Sequence, residues 1–137
     1  FLFIMATACQ KDSNHDQHDQ HNQQALDTSS NQALYDEVMN VHDEVMPKMN
    51  DLHKAKTSLQ TRLEMPGVGE NEQQEIKIKI ARIDSASESM MVWMRQFNPL
   101  PDSASEEKAR AYLKAELVKV KNVRDNILKA LKTTAEE

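Results

Sequence analysis

Three histidines, His15, His18 and His21, stand at three-residue spacing near the start of the chain, with Asp16 and Asp19 between them. Imidazole and carboxylate at that density suit Zn(II) or Cu(II), which take nitrogen and oxygen ligands. Further along, His42 and Met46 lie one helical turn apart, and Met90, Met91 and Met94 surround Trp93. If these two segments meet, thioether and imidazole come together, a donor set that suits Cu(I). Methionine is also an adaptable filler of irregular cores, and a methionine stripe at helical spacing is far more often packing than a ligand set. A three-histidine tract without fixed geometry holds metal weakly, and the single cysteine leaves no paired Cys-x-x-Cys motif. The first expectation is therefore no cofactor. The second is a copper- or zinc-binding buffer or sensor built on His15, His18, His21, His42 and Met46.

The other reactive residue is Cys9. It follows the apolar run Phe1-Leu2-Phe3-Ile4-Met5-Ala6-Thr7-Ala8 and precedes Gln10-Lys11-Asp12. Eight residues are too few to span a bilayer as a helix, which needs about 20. They read as the end of a signal-peptide hydrophobic region, and Thr7-Ala8 before the cysteine resembles the lipobox of bacterial lipoproteins. That resemblance implies cleavage before Cys9 and acylation of its thiol, with residues 1 to 8 a truncated signal peptide. No initiating methionine or cationic segment precedes the run, so a longer reading frame is expected. Several acyl chains bind membranes strongly, because each buried methylene contributes about 0.8 kcal/mol. A nucleophilic role for Cys9 finds little support, since only Lys11 stands near enough to favour a thiolate. Catalysis in general lacks a motif: there is no glycine-rich phosphate loop, no Gly-x-Ser-x-Gly and no His-Glu-x-x-His.

Positioning these groups falls to helices. Only two glycines and six aromatic residues occur in 137, too few for a sandwich or barrel of many short strands. From Gln10 to Gln32 the apolar residues are Ala25 and Leu26 alone, so residues 9 to 32 are expected to form a disordered His/Gln/Asp-rich spacer. Beyond it, Leu34, Val38, Val41, Val45, Leu52, Ala55 and Leu59 recur at spacings of three, four or seven, and the Ser29–Gln32 pair suggests a capping box. A first helix is expected from about Asn31 to Glu64, kinked where Pro47 removes a backbone donor. Met65-Pro66-Gly67-Val68-Gly69 reads as a turn.

A second helix, about Asn71 to Phe97, carries Ile76, Ile80, Ile83, Ser87, Met90, Met94 and Phe97 in four-three alternation. Asn98-Pro99-Leu100-Pro101-Asp102 ends it, and Ser103 with Glu106 suggests the cap of a third. That helix carries Ala109, Leu113, Leu117, Val120, Val123, Ile127 and Leu131. Three long amphipathic helices on short connections predict an all-α, antiparallel up-down-up three-helix bundle over residues 33 to 137, about 40 to 50 Å long with coiled-coil-like packing. A coiled coil that completes its core as a homodimer is the competing arrangement. The first helix argues for the bundle, because Tyr35, Met39, His42, Met46, Met49 and His53 form a second stripe beside the first.

A formal charge of −5 argues against nucleic acid as a partner. Residues 103 to 134 nevertheless carry eight Lys or Arg against four Asp or Glu, with Arg110, Lys114 and Lys121 along one side. Such a stripe is usually a solvated face; anionic lipid or an acidic partner is what it could otherwise meet.

The run Leu34-Tyr35-Asp36-Glu37-Val38-Met39, the segment His42 to Met49 through Pro47, the segment Met90-Met91-Val92-Trp93-Met94-Arg95-Gln96-Phe97 and the later Tyr112-Leu113 pair resemble a group of small bacterial lipoproteins labelled as similar to viral A-type inclusion proteins. The likeness covers about residues 34 to 132. It implies an all-helical fold and a location in the cell envelope, as an outer-membrane lipoprotein facing the periplasm or the cell surface. It supplies no catalytic or ligand residues. Together these readings predict a non-enzymatic lipoprotein, anchored to the membrane through Cys9, whose helical domain binds another envelope protein. The expected contact surface is Tyr35 and Met39 with the Trp93 and Phe97 end, because methionine and aromatic side chains serve recognition where they stay exposed.

Overall fold

The structure is a computed structural model that describes the backbone of residues 18–135 and the side chains of residues 30–135. Three helices account for nearly all of it: α1 (His18–Leu63), α2 (Glu70–Gln96) and α3 (Glu106–Ala135). They pack as an all-α three-helix bundle in the up-down-up order. Cross-helix contacts set the directions. On α1 and α2, Tyr35 meets Phe97, His42 meets Trp93, and Lys56 pairs with Asp84, so the two run antiparallel. On α1 and α3, Asn31 bonds Glu106 and Glu37 pairs with Lys121, so these run parallel. At 30 residues, α3 is about 45 Å long.

The first helix begins at His18 rather than near Asn31, so helical backbone occupies the second half of the expected spacer. Its polar residues include no Gly or Pro to stop a helix that the bundle has already nucleated downstream. Residues 18–30 run past the end of the bundle, since α3 starts level with Asn31. The helix also continues unbroken through the exposed Pro47. The Ser29–Gln32 pair therefore lies inside α1, where Gln32 instead donates to Asp36 Oδ1 at 2.8 Å.

The turn between α1 and α2 needs Gly67, the one residue among those described with positive φ, at 89°. At the start of α3 the capping oxygen is that of Ser105, not Ser103: the Lys108 N–H donates to Ser105 Oγ at 3.4 Å. Ser103 lies within the turn that precedes the helix.

Val38, Val45, Leu52, Ile83, Met90, Val120 and Ile127 are the fully buried centre, each large side chain contributing about 1.5–3 kcal/mol by burial. On α2 the buried stripe is Ile76, Ile83, Ala86, Met90 and Trp93. Relative to the expected stripe it slips by one residue after Ile83: Ala86 and Trp93 turn inward where Ser87 and Met94 were expected, and Met94 is exposed. Burying the indole removes more apolar surface than burying the thioether, and it spares a serine hydroxyl from the core. The second stripe of α1 meets α2 through Tyr35 and His42, with Met46 and Met49 packed against the core. That is why α1 carries two stripes: it has two neighbours.

Candidate functional site

The antiparallel register of α1 and α2 brings the aromatic side chains of the described residues, Tyr35, Trp93, Phe97 and Tyr112, to one end of the bundle. Trp93 stacks on Phe97 with ring centroids 4.9 Å apart, and Phe97 in turn lies 6.2 Å from Tyr35 and 6.3 Å from Tyr112. His42 lies 6.0 Å from the Trp93 ring on the other side. Contacts of this kind contribute about 0.5–1.5 kcal/mol beyond burial. The end of α2 is tied into the layer because the Asn98 N–H donates to the Tyr112 hydroxyl at 2.7 Å.

Beneath the layer sits a carboxylate. Glu116 of α3 is 3% exposed, the one charged side chain in the core among the described residues. Trp93 Nε1–H donates to its Oε2 at 3.0 Å, and Lys119 Nζ donates to its Oε1 at 2.7 Å. Both oxygens are thus engaged, which is the condition for burying a carboxylate without a large penalty. The bond to Glu116, with the glutamate's charge close by, raises the Lys119 pKa above the ordinary lysine value. An open groove of about 460 Å³ between α2 and α3 is lined by Trp93 and Lys119 of this group, with Ser85, Ser89, Val92 and Val123.

The expected contact surface is only partly a surface. Trp93 is 5% exposed and belongs to the core, because α3 covers it and supplies its hydrogen-bond acceptor. Met39 and Phe97 are half-buried, and Tyr35 is 36% exposed. Met94 and Leu100, not expected as contact residues, are exposed at the same end.

Of the proposed metal ligands, His42 and Met46 share the α2-facing flank of α1, both half-buried. His42 Nδ1–H donates to Asp43 Oδ1 at 2.8 Å, which leaves one ring nitrogen, and Met46 packs against the core. Among the described residues, no three His, Cys, Asp or Glu side chains gather as a metal-binding group. His18 and His21 lie on α1 with side chains outside the described residues; Cys9 and His15 lie outside them altogether.

What the site can do chemically is stack, exclude water and hold one buried charge. Sequence reasoning missed Glu116. Its signal was an acidic residue three after Leu113 and four before Val120, in phase with a buried stripe. No helix among the described residues is long and apolar enough to cross a membrane. Comparison of the chain with family models, with curated proteins and with solved structures finds no match.

Proposed function

We propose that this chain is a bacterial envelope lipoprotein, acylated at Cys9, whose three-helix bundle binds another envelope component and carries out no catalysis. The observation that carries the reading is the apolar run Phe1 to Ala8 ending directly at Cys9, ahead of a polar stretch that leads into one end of a rod-like bundle. The chain enters the bundle at its aromatic end, where Tyr35, Met94 and Leu100 keep apolar surface exposed. Met94 and Leu100 join Tyr35 in this surface, and Trp93 is excluded from it by burial. The likeness of residues 34 to 132 to small bacterial lipoproteins points the same way.

The test is metabolic labelling with a radioactive fatty acid in a bacterium that expresses the full reading frame. Label on the chain and its recovery with membranes are expected, and the label is lost in Cys9→Ala. An unlabelled chain recovered in the soluble fraction would overturn the reading.

A further inference from the structure

We propose that the outward face of α3 seats on the anionic phospholipid headgroups of a bilayer. The inference rests on the envelope reading for the presence of a membrane, and on α3 alone for the contact.

Charge is unevenly placed in this chain. Its net charge is −5, yet α3 carries more cations than anions, whereas α1 and α2 each carry more anions than cations. α3 turns Leu113, Glu116, Val120, Val123, Ile127 and Ala130 toward its neighbours. On its other side Lys114, Val118, Lys121, Asp125, Leu128 and Lys132 alternate at spacings of four and three, which keeps them on one face. Val118 is 61% exposed, the most of any large apolar side chain among the described residues, and Leu128 is 41% exposed.

Two carboxylates on or beside this face are matched, Glu37 by Lys121 at 2.7 Å and Asp125 by Arg124 at 2.9 Å, and Glu107, two turns before Lys114, marks the acidic start of the same face. Among the described residues no ion pair engages Lys114, nor Lys129 beside the stripe, and both are exposed. From residue 114 to 132 the face is about 27 Å long.

Lysines with branched apolar side chains between them, on a helix held rigid from behind, match what a headgroup region offers. Ammonium groups meet phosphate, and Val118 and Leu128 reach the acyl boundary. An acidic polypeptide would be served by the lysines without those two. The acidic residues of α1, among them Asp36, Asp43 and Glu44, are repelled by the same surface, so the contact also orients the bundle.

The test is cosedimentation of the full chain, unacylated at Cys9, with vesicles of phosphatidylglycerol and phosphatidylcholine in equal parts, and with vesicles of phosphatidylcholine alone. Partition onto the anionic vesicles only, weakened by salt, is expected. Each lysine near the surface is worth roughly fivefold in partition, so the double variant Lys114→Gln/Lys129→Gln should lose about 25-fold. Val118→Ser should lose less, and Lys54→Gln/Lys77→Gln, on the other two helices, should lose nothing. Far-UV circular dichroism checks that each variant is folded. No partition, equal partition onto neutral vesicles, or an equal loss in the Lys54/Lys77 pair would overturn the proposal. So would binding to polyglutamate without binding to vesicles, which would mark the face as a site for an acidic protein. Because Cys9 is unacylated throughout, a failure here is distinct from a failure of fatty-acid labelling at Cys9.

Discussion

Trp93 and Glu116, on different helices and 23 positions apart in sequence, are joined by a buried hydrogen bond of 3.0 Å from the indole N–H to a carboxylate oxygen. The bond ties α2 to α3 in one register, because Glu116 is the one buried polar or charged side chain among the described residues. Removing the acceptor should leave a buried donor unsatisfied. Glu116→Ala is therefore expected to destabilise the fold by about 1–3 kcal/mol, and Glu116→Gln, whose amide oxygen still accepts, by about 1 or less. Urea unfolding followed by fluorescence of the single tryptophan measures both. Equal losses in the two variants would mean that the indole bond is not what holds the pair.

Lys119 completes that group from the surface, and its pKa is raised by the bond to Glu116 and then by the glutamate's charge. A lysine whose folded pKa exceeds its unfolded one adds stability that is fully present below the unfolded value, and loses it as pH rises through the folded value. Wild type should therefore exceed Lys119→Met in stability at neutral pH, and the gap should close only in alkali, above the ordinary 10.5. Unfolding curves of both chains across that range check the sign. A gap that closes on acidification instead would assign the effect to another group.

Helix number, direction and both turns were legible because apolar spacing and Pro/Gly placement are local properties. The rest depended on register between helices. Nothing local distinguishes Ala86 and Trp93 from Ser87 and Met94 as the inward pair; the choice follows from which of them α3 can cover and bond. The second stripe of α1 was visible from Tyr35 to His53, but whether it faced a neighbour or a partner protein was not, since both uses demand the same residue types. Glu116 stood in phase with the core, yet a lone acidic residue on a helix is ordinarily solvated, and its partner indole lies on another element. The start of α1 at His18 is not legible in the sequence, because a composition poor in apolar residues withholds a core without forbidding a helix continued from one.

Titration with Cu(I), Cu(II) and Zn(II) addresses the metal expectation. His42 has one ring nitrogen bonded to Asp43 and its ring against Trp93, and Met46 packs against the core. Any binding is thus expected to be weak, to disappear when His15, His18 and His21 are replaced by Ala, and to survive His42→Ala. Tight stoichiometric binding lost in His42→Ala would reverse this and place a ligand set between α1 and α2.

The two glycines of the α1–α2 turn should respond to substitution with opposite signs. Gly67 has φ of 89°, and a Cβ there would meet nothing within 4 Å, so the cost of Gly67→Ala is conformational alone, about 1–2 kcal/mol. Gly69 has φ of −70° and ψ of 159°, values open to any residue, and it stands at the N-cap of α2 with no side-chain cap bond. Gly69→Ser restricts the unfolded chain and offers a hydroxyl to the free N–H groups of the first turn, so it should raise stability by about 0.4–1 kcal/mol. Thermal or urea unfolding of the two single variants reads both signs. If both destabilise, the segment after Gly67 makes contacts through its backbone that a side chain at position 69 disturbs, and the turn is more tightly held than its open surroundings indicate.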